Sequence, residues 1–575
     1  MVKKTLSSIK SILTREQNEI LSAAAMLMVL LLATKIVGMV FLTLVAKEFG
    51  ASAQTDLFYL ASVIPETITN VILLGAISGS IIPIFVHIRE KDGDKKFIDS
   101  FSSTMNLGML VFIILSSLVM VFAKHLIPFA IELVQRETPL TPEEIDTVVD
   151  MMRVLLLPQI ILGASAFISS GLNIYQRFIV PQLAPLFYNF GRILGIVIFV
   201  PLMDYSIWGL VWGTVLGALL HLVIQIPLWR KLDISYRPFY INRKDKNFLH
   251  ALRLGSPRIL GLSVEEVARI TDSLISFGLT AGSLTAYQYA VRLTAIPLNL
   301  FGTSYAIASF PSLSKLWARG AKEEFELLVK KIINQVLFLA IPVSGIFLVL
   351  RVPIVRLVYG ILGGNFTWED TLQVSWVLMF FALGISLETL RSTIFRVYFA
   401  IHNSIIPLIS SLFVLVFGII TGILFTNYFS HFSVFSITQL TFNWDFFLSK
   451  SDGALGVGGL ALSSSLVFSL EFIFLLLFLR YLKVITKLSV LVKEMVIKIF
   501  AGLLMVIVAY VLAKFWEGVL QTEKTIQLII LTVVTATAAF CLYLLLCYIL
   551  RIEEVNVFTR FLIRTAKKLK HFKDS

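Results

Sequence analysis

The amino-acid sequence predicts an all-α polytopic membrane protein: about 14 transmembrane helices, arranged as two pseudo-symmetric six-helix lobes plus two C-terminal helices. Three observations carry this expectation. The 575 residues are 57% hydrophobic and only 15% charged, with 46 phenylalanines and a mean hydropathy of +0.87, too apolar for a soluble multidomain chain. Apolar segments of roughly 20 residues or more recur along almost the whole length, each able at about 1.5 Å per residue to cross a hydrocarbon core about 30 Å thick. Finally, the second part of the chain echoes the first.

The spans are expected near 20–48, 56–88, 100–134, 147–174, 181–203, 207–229, 247–279, 284–317, 323–359, 369–400, 405–427, 455–481, 490–516 and 525–550. This divides the chain into a short N-terminal segment (1–19), a first lobe of six spans (20–232), a second lobe of six (247–482), two last spans (490–551) and a basic tail (552–575). The first apolar run is too long for a signal peptide and lacks a small-residue cleavage pattern, so an uncleaved first span is expected.

The echo is visible by shifting the chain on itself. A shift of 228 lays Phe49-Gly50 on Phe277-Gly278, Tyr59 on Tyr287, Pro83 on Pro311 and Phe97 on Phe325. A shift of 226 lays Pro181 on Pro407, and one of 250 lays Gly209-Leu210 on Gly459-Leu460 and Arg230 on Arg480. The larger shift reflects an aromatic-rich insertion at 426–453, expected to lie at the outer interface. Six spans per half keep the two halves in the same orientation, a parallel repeat of the kind transporters use to frame a central substrate site.

The net charge of +13 is distributed by membrane side rather than gathered on one patch, which argues against nucleic acid as a partner. Starting from Lys3, Lys4, Lys10 and Arg15, every second connection is basic, through Arg230 to Lys246, Lys315 to Lys322 and Arg480 to Lys487. The tail adds Arg560, Arg564, Lys567, Lys568 and Lys570, whereas residues 132–150 are acidic. The positive-inside rule then places both termini in the cytoplasm, which independently requires an even number of spans.

Enzyme signatures are absent from the sequence. There is no phosphate loop, no H-E-x-x-H, no C-x-x-C and no nucleophile elbow, so a metal site and covalent chemistry are not expected. Cys541 and Cys547 sit six residues apart in the last span and define no disulfide framework. Glycine spacings such as Gly191/Gly195, Gly209/Gly213/Gly217 and Gly418/Gly422 read as close helix contacts.

Charges inside spans are the informative class, because each costs at least about 2.5–3.5 kcal/mol at mid-bilayer unless it meets a partner or a hydrated cavity. In the stretch "SVEEVARITDS" (263–273) of the seventh span, Glu265, Arg269 and Asp272 fall within about 40 degrees of Arg258 at 100 degrees per residue. Glu266 lies about 100 degrees from Glu265. The stripe is expected to line a hydrated cavity, to pair internally through Glu265–Arg269 and Arg269–Asp272, or both. Lys35, Asp56 and Arg292 are the other candidates, with Thr285 on the face of Arg292; Thr55-Asp56 also reads as a helix N-cap.

Three runs then resemble a known family: "FGASAQTDLFYLASVIPETITNVILLGAISGSIIPIF" (49–85), "LLLPQIILGASAFISSGLNIYQRFIVPQLAPLFYN" (155–189) and "GSLTAYQYAVRLTAIPLNLFGTSYAIASFPSLSKLWARG" (282–320). They resemble the MurJ/MviN family of the MATE-like exporter superfamily. The resemblance implies a fourteen-helix, two-lobed flippase that moves lipid II, an undecaprenyl-pyrophosphate-linked cell-wall precursor, across the bacterial cytoplasmic membrane by alternating access. The last two spans would then form a groove for the lipid tail.

Carried over residue by residue, Lys35 stands where the family has an arginine in span 1, Asp56 in its "TD" slot and Arg292 in its "YADRL" motif. Thr285 matches a small hydroxyl position, and Asp272 an acid assigned to a sodium site in some members. Together with Arg258 and Arg269, the first four form the expected substrate-cavity set; Asp272 and Glu265 are the expected ion-coupling pair, with Na+ or H+ as the coupling ion and no other cofactor. The chain departs from the family at Phe41, at Thr69 and Asn70, at Val291, at Ala295 and at Leu74, where members carry charged residues. Expected partners are the lipid-linked precursor, membrane lipids and cell-wall synthesis proteins. The departures leave a flippase for another lipid-linked oligosaccharide as an alternative, beside a MATE-like small-molecule antiporter and a non-transporting scaffold.

Overall fold

A computed structural model describes residues 20–71, 81–134, 139–232, 234–242, 246–431, 455–556 and 558–559, with side chains described except at 20–29, 81–84, 246–260, 262 and 431. Every regular element among these residues is helical. Apart from two short π-helical segments (Gly195–Phe199 and Leu298–Thr303) and the three-residue helix Val200–Leu202, they are, in chain order, α1 (Ile20–Phe49), α2 (Ala53–Thr69), α3 (Ile81–Val134), α4 (Pro142–Ile174), α5 (Ile179–Leu194), α6 (Trp208–Val223), α7 (Ile226–Lys231) and α8 (Lys246–Gly278). There follow α9 (Ser283–Pro297), α10 (Ser304–Ala318), α11 (Lys322–Val349), α12 (Arg351–Val358) and α13 (Trp368–Ala400). The last are α14 (Ile405–His431), α15 (Gly456–Tyr481), α16 (Leu488–Val519) and α17 (Thr525–Ile549). Twelve of the described helices are long and apolar enough to cross a membrane.

The two remaining expected spans are α8, interrupted by its charges, and the segment 56–88, of which 72–80 lie outside the described residues. The insertion at 426–453 falls outside them from 432 onward, as do the N-terminal 1–19 and the tail beyond 559.

Local sequence explains where helices begin and turn. Thr141-Pro142-Glu143-Glu144 opens α4 with a capping box: the Thr141 hydroxyl accepts from Glu144 N–H at 3.2 Å, and the Glu144 carboxylate accepts from Thr141 N–H at 2.8 Å. In α3 the backbone turns at Gly93, whose φ of +85° is open to glycine, so the helix before the charged stretch and the one after it are separate rods. The internal repeat reappears as geometry. Ser52 Oγ and Thr55 Oγ1 lie 3.0 Å apart at the start of α2, and Thr280 Oγ1 and Ser283 Oγ, each 228 residues on, lie 3.1 Å apart at the start of α9.

The chain forms two compact units: Met1–Thr285 with Leu362–Thr367, and Ala286–Ile361 with Trp368–Ser575. In the first, α1 packs on α5, α5 on α6, α4 on α2, α3 and α6, and α8 on α2 and α3. The α5–α6 contact is made by glycines. A Cβ on Gly191 would sit 2.3 Å from the Gly217 Cα, and one on Gly195 2.4 Å from the Gly213 Cα, so the two backbones touch directly. The expectation for Gly418 fails: a Cβ there would meet no atom within 4 Å.

In the second unit α13 and α14 pack on α15, α11 on α13 and α16, and α16 on α17. The last two spans therefore share an apolar core with α11, through Ile341, Met505, Ala509, Leu531 and Tyr543. Buried polar groups tie this core as well: Tyr398 OH donates to Leu475 O at 2.7 Å, and Lys498 Nζ donates to Asn334 Oδ1 at 2.7 Å while lying 3.4 Å from Glu554.

Candidate functional site

The first unit brings together a charged cluster from α2 and α8. Arg269 binds Glu266 side-on, with Nε donating to Oε2 at 2.8 Å and Nη2 to the same carboxylate. Its Nη1 reaches across to Glu66 Oε2 on α2 at 3.2 Å, and Nη2 donates to Thr67 Oγ1 at 3.3 Å. Glu266 is further held from α2, where Asn70 Nδ2 donates to Oε1 at 3.0 Å; Thr67 Oγ1, which donates to Val63 O at 2.8 Å, lies 3.4 Å from Oε2. Between them, Thr69 Oγ1 donates to Gln159 Oε1 of α4 at 2.6 Å. The cluster reads as one cation between two anions, with Arg269 34% exposed, Glu66 43% and Glu266 14%.

This corrects one expectation about the polar stripe. Arg269 pairs with Glu266, the acid placed off the stripe, and with Glu66, which sequence reasoning passed over. The helical wheel compared residues of one helix only, whereas α2 supplies half of the contacts. Pro65 places Glu66 and Thr67 just beyond a residue that cannot donate a backbone hydrogen bond, a signal that a polar "PET" in an apolar span could have raised. Glu265 is exposed, and Asp272 is half-buried with its carbonyl accepting from Ser276 Oγ at 2.8 Å. The side chain of Arg258 lies outside the described residues.

Asp56 and Thr285, expected separately, are brought together. Asp56 is fully buried; its Oδ1 accepts from Thr285 N–H at 2.8 Å and from Thr285 Oγ1 at 2.6 Å, and its Oδ2 accepts from Gly282 N–H at 2.7 Å. The carboxylate thus caps the first turn of α9, where helix N–H groups lack intrahelical acceptors and the helix dipole favours an anion. Its own helix is capped by Ser52 instead, so the N-cap expected at Thr55-Asp56 sits one turn earlier. Nearby, Asn365 N–H donates to Lys47 O at 2.8 Å and its Nδ2 to Glu48 O at 2.5 Å, closing the end of α1.

Lys35 is exposed on α1, and Arg292 is half-buried on α9 in the second unit. A further guanidinium emerges on α5: Arg192 stacks over the ring of the buried Phe41 at 3.5 Å. The second unit contains another intramembrane pair that sequence reasoning did not single out, Arg391 Nε of α13 against the fully buried Glu471 of α15 at 2.8 Å. Among the described residues no group of three or more His, Cys, Asp or Glu side chains is arranged to hold a metal ion.

Residues 45–439 match the family described as lipid II flippase MurJ. The chain belongs to that family. A curated relative from Buchnera aphidicola subsp. Acyrthosiphon pisum, named "Probable lipid II flippase MurJ", is 27% identical over 422 residues, covering 73% of this chain and 81% of that protein. The fold is similar to that of a solved lipid II flippase MurJ in an inward closed conformation, with a TM-score of 0.68 at 22% identity over 93% of this chain and 99% of the other. A multidrug resistance MATE family transporter in an inward-facing conformation is similar at a TM-score of 0.60 and 14% identity, over 80% of this chain and 96% of that one.

Membership sharpens the meaning of the departures. Phe41 and the pair Thr69-Asn70 stand where the resemblance expects arginines, yet each of these places lies beside a guanidinium from another helix. Arg192 covers Phe41, and Arg269 shares the Glu266 carboxylate with Asn70.

Proposed function

We propose that this chain moves lipid II across the bacterial cytoplasmic membrane by alternating access, as a transporter without covalent chemistry. The observation that carries the reading is the match to the lipid II flippase family across residues 45–439. The cations of the first unit support it chemically. A pyrophosphate presents several anionic oxygens, and charge-assisted hydrogen bonds from a guanidinium are short and roughly twice as strong as neutral ones. Arg269 and Arg192 supply such groups, with Lys35 and Arg258 as the further cations of that unit expected at the headgroup; Arg292, in the second unit, is a further candidate by its place in the family motif. The basic connections imply that both termini face the cytoplasm.

Asp272 and Glu265 are proposed to couple the cycle to Na+ or H+, since a charge moved through the membrane field is worth about 2.3 kcal/mol per 100 mV.

Complementation of a strain depleted of its lipid II flippase, scored by lipid II accessible at the outer leaflet, tests the proposal. Rescue is expected. A well-expressed protein that fails to rescue, and instead restores a different glycolipid pathway, overturns the substrate. That second reading, a flippase for another lipid-linked oligosaccharide, is favoured by the missing arginines at Phe41, Thr69 and Asn70.

A further inference from the structure

The two carboxylates around Arg269 are held very differently. Glu266 is only 14% exposed and is fixed from two sides, by Arg269 Nε at 2.8 Å and Asn70 Nδ2 at 3.0 Å, while Thr67 Oγ1 accepts from Arg269 Nη2 at 3.3 Å. Glu66 is 43% exposed and meets the guanidinium through one Nη1 contact of 3.2 Å. An ion pair that exposed contributes little by itself and exchanges readily. A side-on clamp at Nε and Nη2 instead fixes the plane of the guanidinium, which sets the direction in which Nη1 points.

We propose that Glu66 is a placeholder for an anionic oxygen of the substrate: its carboxylate occupies Arg269 Nη1 until a diphosphate oxygen displaces it, while Glu266, Asn70 and Thr67 hold the guanidinium in position. The ligand is a lipid-linked pyrophosphate, so the inference rests on the flippase reading above and assigns the residue that receives the headgroup. The arrangement accounts for the excess of negative charge in a cluster that would receive an anion. With Glu66 in place the cluster carries two carboxylates against one guanidinium. Once Glu66 swings away, the diphosphate meets a guanidinium backed by a single carboxylate already engaged on its far side. Glu66 therefore makes the site selective: a ligand must offer more than a lone carboxylate does, and a diphosphate offers several oxygens with more charge.

The test uses the full-length protein in lipid nanodiscs, titrated with undecaprenyl pyrophosphate, with undecaprenol as the phosphate-free control. Glu66→Gln is expected to tighten undecaprenyl pyrophosphate binding by about threefold to tenfold, the range an exposed ion pair plus one removed negative charge provides. Glu266→Gln, which loosens the clamp, is expected to weaken it, and Arg269→Ala to weaken it at least about tenfold. The deciding arm is the cycle: in an Arg269→Ala background, Glu66→Gln is expected to give no gain. A gain that persists there marks a general charge effect and overturns the proposal, as does a folded Glu66→Gln protein that binds no tighter than the parent. If the parent protein rescues the depletion strain but these variants behave as in either overturning case, only the placeholder role falls. If the parent neither rescues nor binds the probe, the flippase reading falls and takes the inference with it.

Discussion

Replacing Asp56 is the sharpest test of the structure, because three donors converge on one carboxylate that no water reaches. Gly282 N–H, Thr285 N–H and the Thr285 hydroxyl all donate to it, at 2.7, 2.8 and 2.6 Å. Asp56→Ala leaves two backbone N–H groups and a hydroxyl without that acceptor. At about 1–3 kcal/mol for each buried donor left unsatisfied, the two N–H groups alone cost about 2–6 kcal/mol. Loss of a charge at a helix N-terminus adds up to about 2 kcal/mol in a buried geometry.

Asp56→Asn keeps one acceptor oxygen but turns an amide NH2 toward a backbone N–H, so about half of that loss is expected. Thr285→Val removes only the hydroxyl donor and should cost about 1 kcal/mol. The expected order of destabilisation is Asp56→Ala, then Asp56→Asn, then Thr285→Val, read as the temperature at which half of the detergent-solubilised protein is lost from the monodisperse peak. The same order is expected for outer-leaflet lipid II in the complemented strain. An Asp56→Ala protein as heat-stable and as active as the parent refutes the capping argument.

Gly217→Val should prevent α5–α6 association, because a Cβ at Gly217 lies 2.5 Å from the Tyr188 carbonyl oxygen. Gly418→Ala, which meets no atom within 4 Å, should express and fold as the parent does, and size-exclusion profiles compare the two. Arg391→Leu removes the cation 2.8 Å from the fully buried Glu471 carboxylate and should destabilise by about 3–5 kcal/mol, while Arg391→Leu with Glu471→Leu should recover most of it. Equal melting of the single and double variants would remove any role for that pair. Lys498→Met leaves Asn334 Oδ1 and Glu554 without the cation between them, so α16 should loosen from α11, seen as faster proteolysis of the last two spans and a lower melting temperature.

The sequence alone determined which stretches enter the bilayer and to which family they belong. Insertion is a local property: about 20 apolar residues suffice, whatever they later touch, and twelve expected spans recur as long apolar helices. The repeat was legible for the same reason: Phe49-Gly50 recurs as Phe277-Gly278, and with it the hydroxyl pair Ser52/Thr55 recurs as Thr280/Ser283, all 228 residues on. Caps such as Thr141-x-x-Glu144 are likewise written in four consecutive residues.

Only the tertiary structure decided the partners of the charges. A wheel of one helix grouped Glu265, Arg269 and Asp272, but the neighbouring helix α2 supplied Glu66, Thr67 and Asn70, and with them Glu266 became the clamp. Asp56 found its donors at Gly282 and Thr285, and Phe41 its cation at Arg192, across separations for which sequence carries no register. Hydropathy fixes that a charge in a span must be compensated. Which group compensates it depends on how helices rotate against one another, and that rotation is set by many weak side-chain contacts at once.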